Sequence, residues 1–86
     1  MEKYYTATVD SDDFVSSCDF CWALYQLKQG KRVSRSGWNG ENMYIELQKP
    51  DENSKMTLPY IYMKTVDDNF VPWLISQTDI LANDWF

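Results

Sequence analysis

Just past Gly30 the apolar residues of this chain change their spacing from a helical period to a strand period. Before it, Phe20, Ala23, Leu24 and Leu27 recur at the intervals that put side chains on one face of a helix. Gly30 then supplies the residue type that takes a left-handed backbone at little cost and ends a helix. Beyond it, Met43, Ile45 and Leu47 alternate with Tyr44 and Glu46, and Ile61, Met63 and Thr65 alternate with Tyr60, Tyr62 and Lys64. Period-two alternation gives a strand one apolar and one polar face. A single apolar helix stripe followed by strands with one apolar face buries its surface by laying the helix on an antiparallel sheet, which is an α+β domain.

Local signals set the expected boundaries. Ser16 is positioned to cap the first helix, with Asp19 three residues on completing a capping-box pattern. Trp22 and Tyr25 fall off the apolar stripe, so Trp22 is a candidate partner contact. Residues 31–37 and 43–48 are expected to pair as a hairpin across Asn39-Gly40, a strong turn signal. Residues 49–57 read as a polar loop, 58–66 as a strand and Asp67-Asp68-Asn69 as a turn. Phe70-Val71 opens a last strand that Pro72 confines to an edge. Ser76 caps a short second helix, with Asp79 at its third position. Upstream, residues 3–9 are rich in strand formers, and Asp10 to Asp13 interrupt them. The expectation is one long helix, a short C-terminal helix and four or five antiparallel strands. Residues 1–15 form an extension, a strand plus an acidic turn, and residues 16–86 the α+β domain proper.

Composition narrows the function. With 86 residues the chain makes one small domain, which buries only about 60–65% of its unfolded surface, so self-association would be a natural supplement. Aromatic residues make up 16% of it, and such residues concentrate in cores and at interfaces. The net charge of −5 argues against binding a nucleic-acid backbone. Yet Lys28, Lys31, Arg32 and Arg35 bring together four of the eight cations; they read either as a solvated helix end or as a local anion site. No apolar run approaches the ~20 residues of a membrane span, and the start, Met1-Glu2-Lys3-Tyr4-Tyr5, is not that of a signal peptide. A cytoplasmic protein is expected. Cys18 and Cys21 lack the further ligands that zinc needs and read as structural thiols. There is no histidine, so Ser-His and Cys-His catalytic pairs are impossible. Asp12-Asp13 and Asp67-Asp68 fit structural roles. No enzyme activity, metal or cofactor is expected.

Two clusters carry binding chemistry. Arg35-Ser36-Gly37-Trp38-Asn39-Gly40 combines a guanidinium, a stacking face, an amide and glycines that let backbone N–H groups approach an anion. Val71-Pro72-Trp73-Leu74-Ile75-Ser76-Gln77-Thr78-Asp79 sets a Trp before a helix N-terminus dense in hydrogen-bonding groups. Each also reads as ordinary structure, a turn whose Trp packs on the sheet and a capped helix beside a core Trp. Together they suit a polar, aromatic, anionic ligand such as a nucleotide.

The order of residues from Phe20 through Leu27-Lys28-Gln29-Gly30-Lys31-Arg32-Val33-Ser34-Arg35-Ser36-Gly37-Trp38-Asn39-Gly40 to Met43-Tyr44 resembles the opening of the second Thoeris anti-defence family of phages. Met63-Lys64-Thr65, Val71-Pro72-Trp73-Leu74, Ser76-Gln77-Thr78-Asp79-Ile80-Leu81-Ala82 and Asp84-Trp85 resemble its second half, and the likeness spans residues 18–86. It implies a sponge that binds a cyclic ADP-ribose isomer (glycocyclic ADP-ribose) without cleaving it and so silences the defence signal in the cytoplasm of the infected host. It also implies a homo-oligomer, a tetramer, with ligand between subunits. The positions implied as ligand-binding are Arg35, Trp38, Asn39, Gly40 and Met43, and then Trp73, Ser76, Gln77, Thr78 and Asp79. A Trp is expected on the adenine, Arg35 at the pyrophosphate, and Asn39, Gln77 or Asp79 at ribose hydroxyls. Some relatives also bind cyclic dinucleotides at a separate site; departures here are residues 1–15, Cys21-Trp22 and a 49–57 loop shorter than in some relatives, which counts against such a site. The competing readings are a protein-binding inhibitor of a host defence protein and a sponge for a cyclic dinucleotide.

Overall fold

The computed structural model of the protein describes residues 18–86, and the expected strand over 3–9, the acidic turn and the Ser16 cap lie outside them. Helix α1 spans Phe20–Lys28. Its N-cap is Asp19, not Ser16: Asp19 Oδ1 accepts from the Trp22 amide at 3.0 Å, satisfying one of the donors a helix leaves open. At the other end Gly30 has φ +85°. The Gly30 amide donates to Leu27 O and the Lys31 amide to Gln26 O, both at 3.0 Å, a Schellman closure.

Three antiparallel strands follow, β1 Tyr44–Gln48, β2 Tyr60–Lys64 and β3 Phe70–Pro72, in that order across the sheet. The expected alternation holds. Ile45 pairs with Met63 and Leu47 with Ile61 on the helix side, while Tyr44 pairs with Lys64 and Glu46 with Tyr62 on the other. The β2–β3 turn is closed by Thr65 N to Asn69 O at 2.8 Å, with Asp68 at φ 66°. Pro72, which has no amide hydrogen, sits in the edge strand as its chemistry requires. Helix α2 spans Gln77–Ile80, and Ser76 Oγ accepts from the Asp79 amide at 3.1 Å.

The expected strand over 31–37 does not form as a regular strand. Val33 bridges Ile45 on one side, and Arg35 bridges Trp85 on the other. Ser34 exchanges backbone bonds of 2.8 and 2.9 Å with Phe86, so the segment is threaded between β1 and the C-terminus. Asn39-Gly40 is not the tight turn of a two-residue hairpin. The positive φ values in this stretch are at Gly40 and Asn42, and the chain makes a wider loop over residues 36–43.

Among the described residues the buried core consists of Ala23 and Leu27 from α1, Val33, Ile45 and Trp85. Trp85 is the hub, with Trp38, Phe20 and Trp73 rings at centroid distances of 5.3, 5.4 and 6.1 Å. Trp22 packs half-buried against this core rather than standing clear as a partner contact, because one helical position from Ala23 places it on the shoulder of the stripe. Cys18 and Cys21 are exposed, not packed as structural thiols would be.

Candidate ligand-binding site

The two motif clusters meet through one carboxylate. Asp79 Oδ1 accepts from Arg35 Nη1 at 2.7 Å and from Trp38 Nε1 at 3.0 Å, while the Asp79 carbonyl accepts from Trp85 Nε1 at 3.0 Å. Helix α2 therefore orients two tryptophans and an arginine at once. A second carboxylate completes the network. Asp84 Oδ1 accepts from Arg35 Nε at 2.6 Å, and its Oδ2 accepts from Arg35 Nη2 at 3.2 Å and from the Gly37 amide at 2.7 Å. A two-point guanidinium–carboxylate pair of this kind is both strong and directional. The close approach needs Gly37, since a Cβ there would lie 2.9 Å from both Arg35 Nη2 and Asp84 Oδ2.

The electrostatics follow from these contacts. For Asp79 burial pushes the carboxyl up, but hydrogen bonds from Trp38, Arg35 and Ser76 override it and hold it below the ordinary aspartate value. For Asp84 the Arg35 hydrogen bond is the main cause of a lowered value, against a smaller opposing effect of burial, and the Gly37 amide adds to the lowering. The Asp84 and Asp79 hydrogen bonds raise Arg35 further. All three groups are charged at neutral pH, and the cluster carries one cation for two anions.

Beside this network lies an open cleft of about 860 Å³. Arg35, Trp38, Gly40 and Met43 border it, together with Arg32, Ser34, Tyr44, Lys64 and Phe86. Trp38 offers a ring whose N–H is tied down by Asp79. Ser34 Oγ is turned to Met43 O at 2.8 Å. Asn39 is exposed on the loop and does not line the cleft. Trp73 lines a separate apolar groove of about 420 Å³ with Phe20, Leu24 and Ile80. Ser76 caps α2, and Gln77 and Thr78 are exposed on its first turn. The structure thus brings Arg35, Trp38 and Asp79 together, and keeps Trp73, Ser76, Gln77 and Thr78 off the cleft within one chain. Among the described residues no group of His, Cys, Asp and Glu could hold a metal ion, and no helix is long and apolar enough to cross a membrane.

Arg32 stands in the sequence only as one of four clustered cations, Lys28, Lys31, Arg32 and Arg35, and Tyr44, Lys64 and Asp84 are not expected there as site residues. Lys64 and Tyr44 were each visible on a polar strand face, but their adjacency depends on a strand register that loop 49–59 leaves open. Asp84 was visible as part of the Asp84-Trp85 pair, without its partner.

Among the described residues these features define a small α+β domain with one three-stranded sheet, two helices and an aromatic, charged cleft held by an internal carboxylate–arginine network. The chain belongs to the Thoeris anti-defense 2-like family, whose domain matches residues 18–86. It is similar to the Thoeris anti-defense 2 protein of Bacillus phage SP01, with 41% identity over an alignment 76 residues long, covering 73% of this chain and 85% of that protein.

Proposed function

We propose that this protein counters Thoeris defence as a sponge, binding a cyclic ADP-ribose isomer and withholding it without chemical change. The observation that carries this reading is the cleft bordered by Arg35, Trp38, Gly40 and Met43, formed by the motif that the family match covers. Its combination of an aromatic face, cations and a hydroxyl suits a ligand with a base, a pyrophosphate and ribose. The chain has no histidine, so a sponge needs no group that is missing, whereas a hydrolase would have to work without the commonest general base.

The ligand would lie between copies of the chain in a homotetramer. The second cluster supports this. Trp73, Ser76, Gln77 and Thr78 do not face the cleft of their own chain, so a ligand touching both clusters would bridge two chains. Leu74 and Leu81, on either side of α2, are 92% and 74% exposed, an apolar load that a subunit contact would cover.

The test is to mix purified protein with glycocyclic ADP-ribose, remove unbound ligand, denature by heat, and identify what is released by mass and chromatography. Near-stoichiometric intact ligand is the expected result. A chemically altered product would make the protein an enzyme, and no retention would remove this signal as the target.

A further inference from the structure

Among the described residues three cations, Arg32, Arg35 and Lys64, border the cleft, and they differ in what each would leave behind on turning to a ligand. Arg35 is 13% exposed at its side chain and bridges Asp79 and Asp84, which are 14% and 32% exposed. An anion arriving there meets a cluster already in negative excess, and drawing Arg35 away strips two carboxylates of their main donor. Leaving a partly buried charged group unsatisfied is far costlier than losing an exposed contact.

Lys64 and Arg32 have no such obligation. Lys64, 17% exposed at its side chain, has Nζ 2.7 Å from Asp68 Oδ1, but Asp68 is 79% exposed, so water can take the place of the lysine there. The second Lys64 contact is to the Asn42 carbonyl at 3.0 Å, on the cleft loop itself. Arg32 is 61% exposed and shares Glu46 Oε1 with the Tyr62 hydroxyl, which donates to it at 2.6 Å. Glu46 therefore keeps a donor when Arg32 leaves. The two cations flank one residue: Arg32 stacks 4.3 Å from the centre of the Tyr44 ring, and Lys64 is the ladder partner of Tyr44.

Resting on the sponge reading, we infer that Lys64 and Arg32, on either side of Tyr44, form the pyrophosphate-binding pair of the cleft, and that Arg35 is a positioning residue that shapes its loop. A pyrophosphate group carries two negative charges, which two separable cations match. Turned away from Asp68 and Glu46, the pair would set two cations against an anionic ligand in a protein of net charge −5.

The experiment is calorimetric titration of the whole chain and its variants with glycocyclic ADP-ribose over a range of salt. Lys64→Met is expected to weaken binding about tenfold or more, the size of a lost charge-assisted hydrogen bond, and Lys64→Arg to restore much of it. Arg32→Gln is expected to weaken it several-fold, and both losses to flatten the salt dependence. Asp68→Asn removes the charge that competes for Lys64, while Asn tolerates the same left-handed turn. It is expected to tighten binding, which a purely structural lysine would not produce. Arg35→Lys is expected to lower the melting temperature while leaving the salt slope unchanged. Unaltered affinity in the Lys64→Met, Arg32→Gln double variant would overturn the inference while the sponge reading stood. If the wild-type chain does not bind this nucleotide, the sponge reading falls, and titration with inorganic pyrophosphate by NMR still decides the pair. Shifts at the Asn42, Tyr44 and Lys64 amides support it. Shifts confined to Gly37 and Trp38, or none, overturn it.

Discussion

Arg35 and Asp84, 49 positions apart in the chain, meet at 2.6 Å between Nε and Oδ1. Asp84 also holds the Gly37 amide, and its carbonyl accepts from the Ser36 amide at 3.1 Å. The loop that carries the first motif is therefore shaped by the last few residues of the chain. Arg35→Ala should leave both carboxylates without their shared cation and cost about 2–3 kcal/mol, somewhat less than a fully buried pair. Urea denaturation of the variant against the wild type measures it.

Gly37→Ala tests the same network from the backbone side. The new methyl would lie 2.9 Å from Arg35 Nη2 and Asp84 Oδ2, so the guanidinium–carboxylate pair must open. A loss of roughly 1–3 kcal/mol is expected. Gly30→Ala is a contrasting case, because nothing lies within 4 Å of its Cβ position and only its φ of +85° is strained. That variant should lose only about 1–2 kcal/mol, and thermal melting of the two separates backbone strain from contact disruption.

The lowered values of Asp79 and Asp84 fix a sign for acid stability. As pH falls, the unfolded chain takes up protons on these groups before the folded chain does. Their stabilisation is complete above about pH 5 and is lost as pH drops through the ordinary value of 3.8 and below it. Denaturant midpoints measured on descending pH should show this loss, and Asp84→Asn should flatten it.

Tyr62 behaves in the opposite direction. Its hydroxyl donates to Glu46 at 2.6 Å. That hydrogen bond first, then burial and the nearby negative charge of Glu46, push the phenol up to about 12 from 10.0. The folded chain holds this proton longer than the unfolded chain, so the contribution is intact below pH 10 and fades as pH rises toward 12. Ultraviolet titration should find a late-ionising tyrosine that disappears in Tyr62→Phe, and Glu46→Gln should bring the titration earlier.

Among the described residues Trp85 is the largest fully buried side chain and touches three other aromatic rings. Trp85→Ala should cost about 3–5 kcal/mol, a large part of the stability of a small domain. Loss of the cooperative melting transition, followed by circular dichroism, is the expected result.

Much of this architecture is written locally. The helix stripe from Phe20 to Leu27, the Gly30 stop, the faces of β1 and β2, the edge position of Pro72 and the Ser76 cap each depend on residues a few positions apart. Backbone preference and period act over that range, so the sequence alone determines them. It also determines which chemistry is absent, since no fold can supply a histidine. The motif resemblance to the anti-defence family is equally a property of the sequence, and the family match bears it out. Tertiary structure alone decided the rest. Residues 31–37 found no single continuous partner strand and were divided between Ile45 and residues 85–86. Asp79, legible as a capping-box acid, instead turned its carboxylate to Arg35 and Trp38. Arg35, legible as an anion receptor, was matched by two carboxylates from 44 and 49 positions away. Which cation stays available to a ligand depends on the exposure of its partner, and exposure exists only once distant segments have packed.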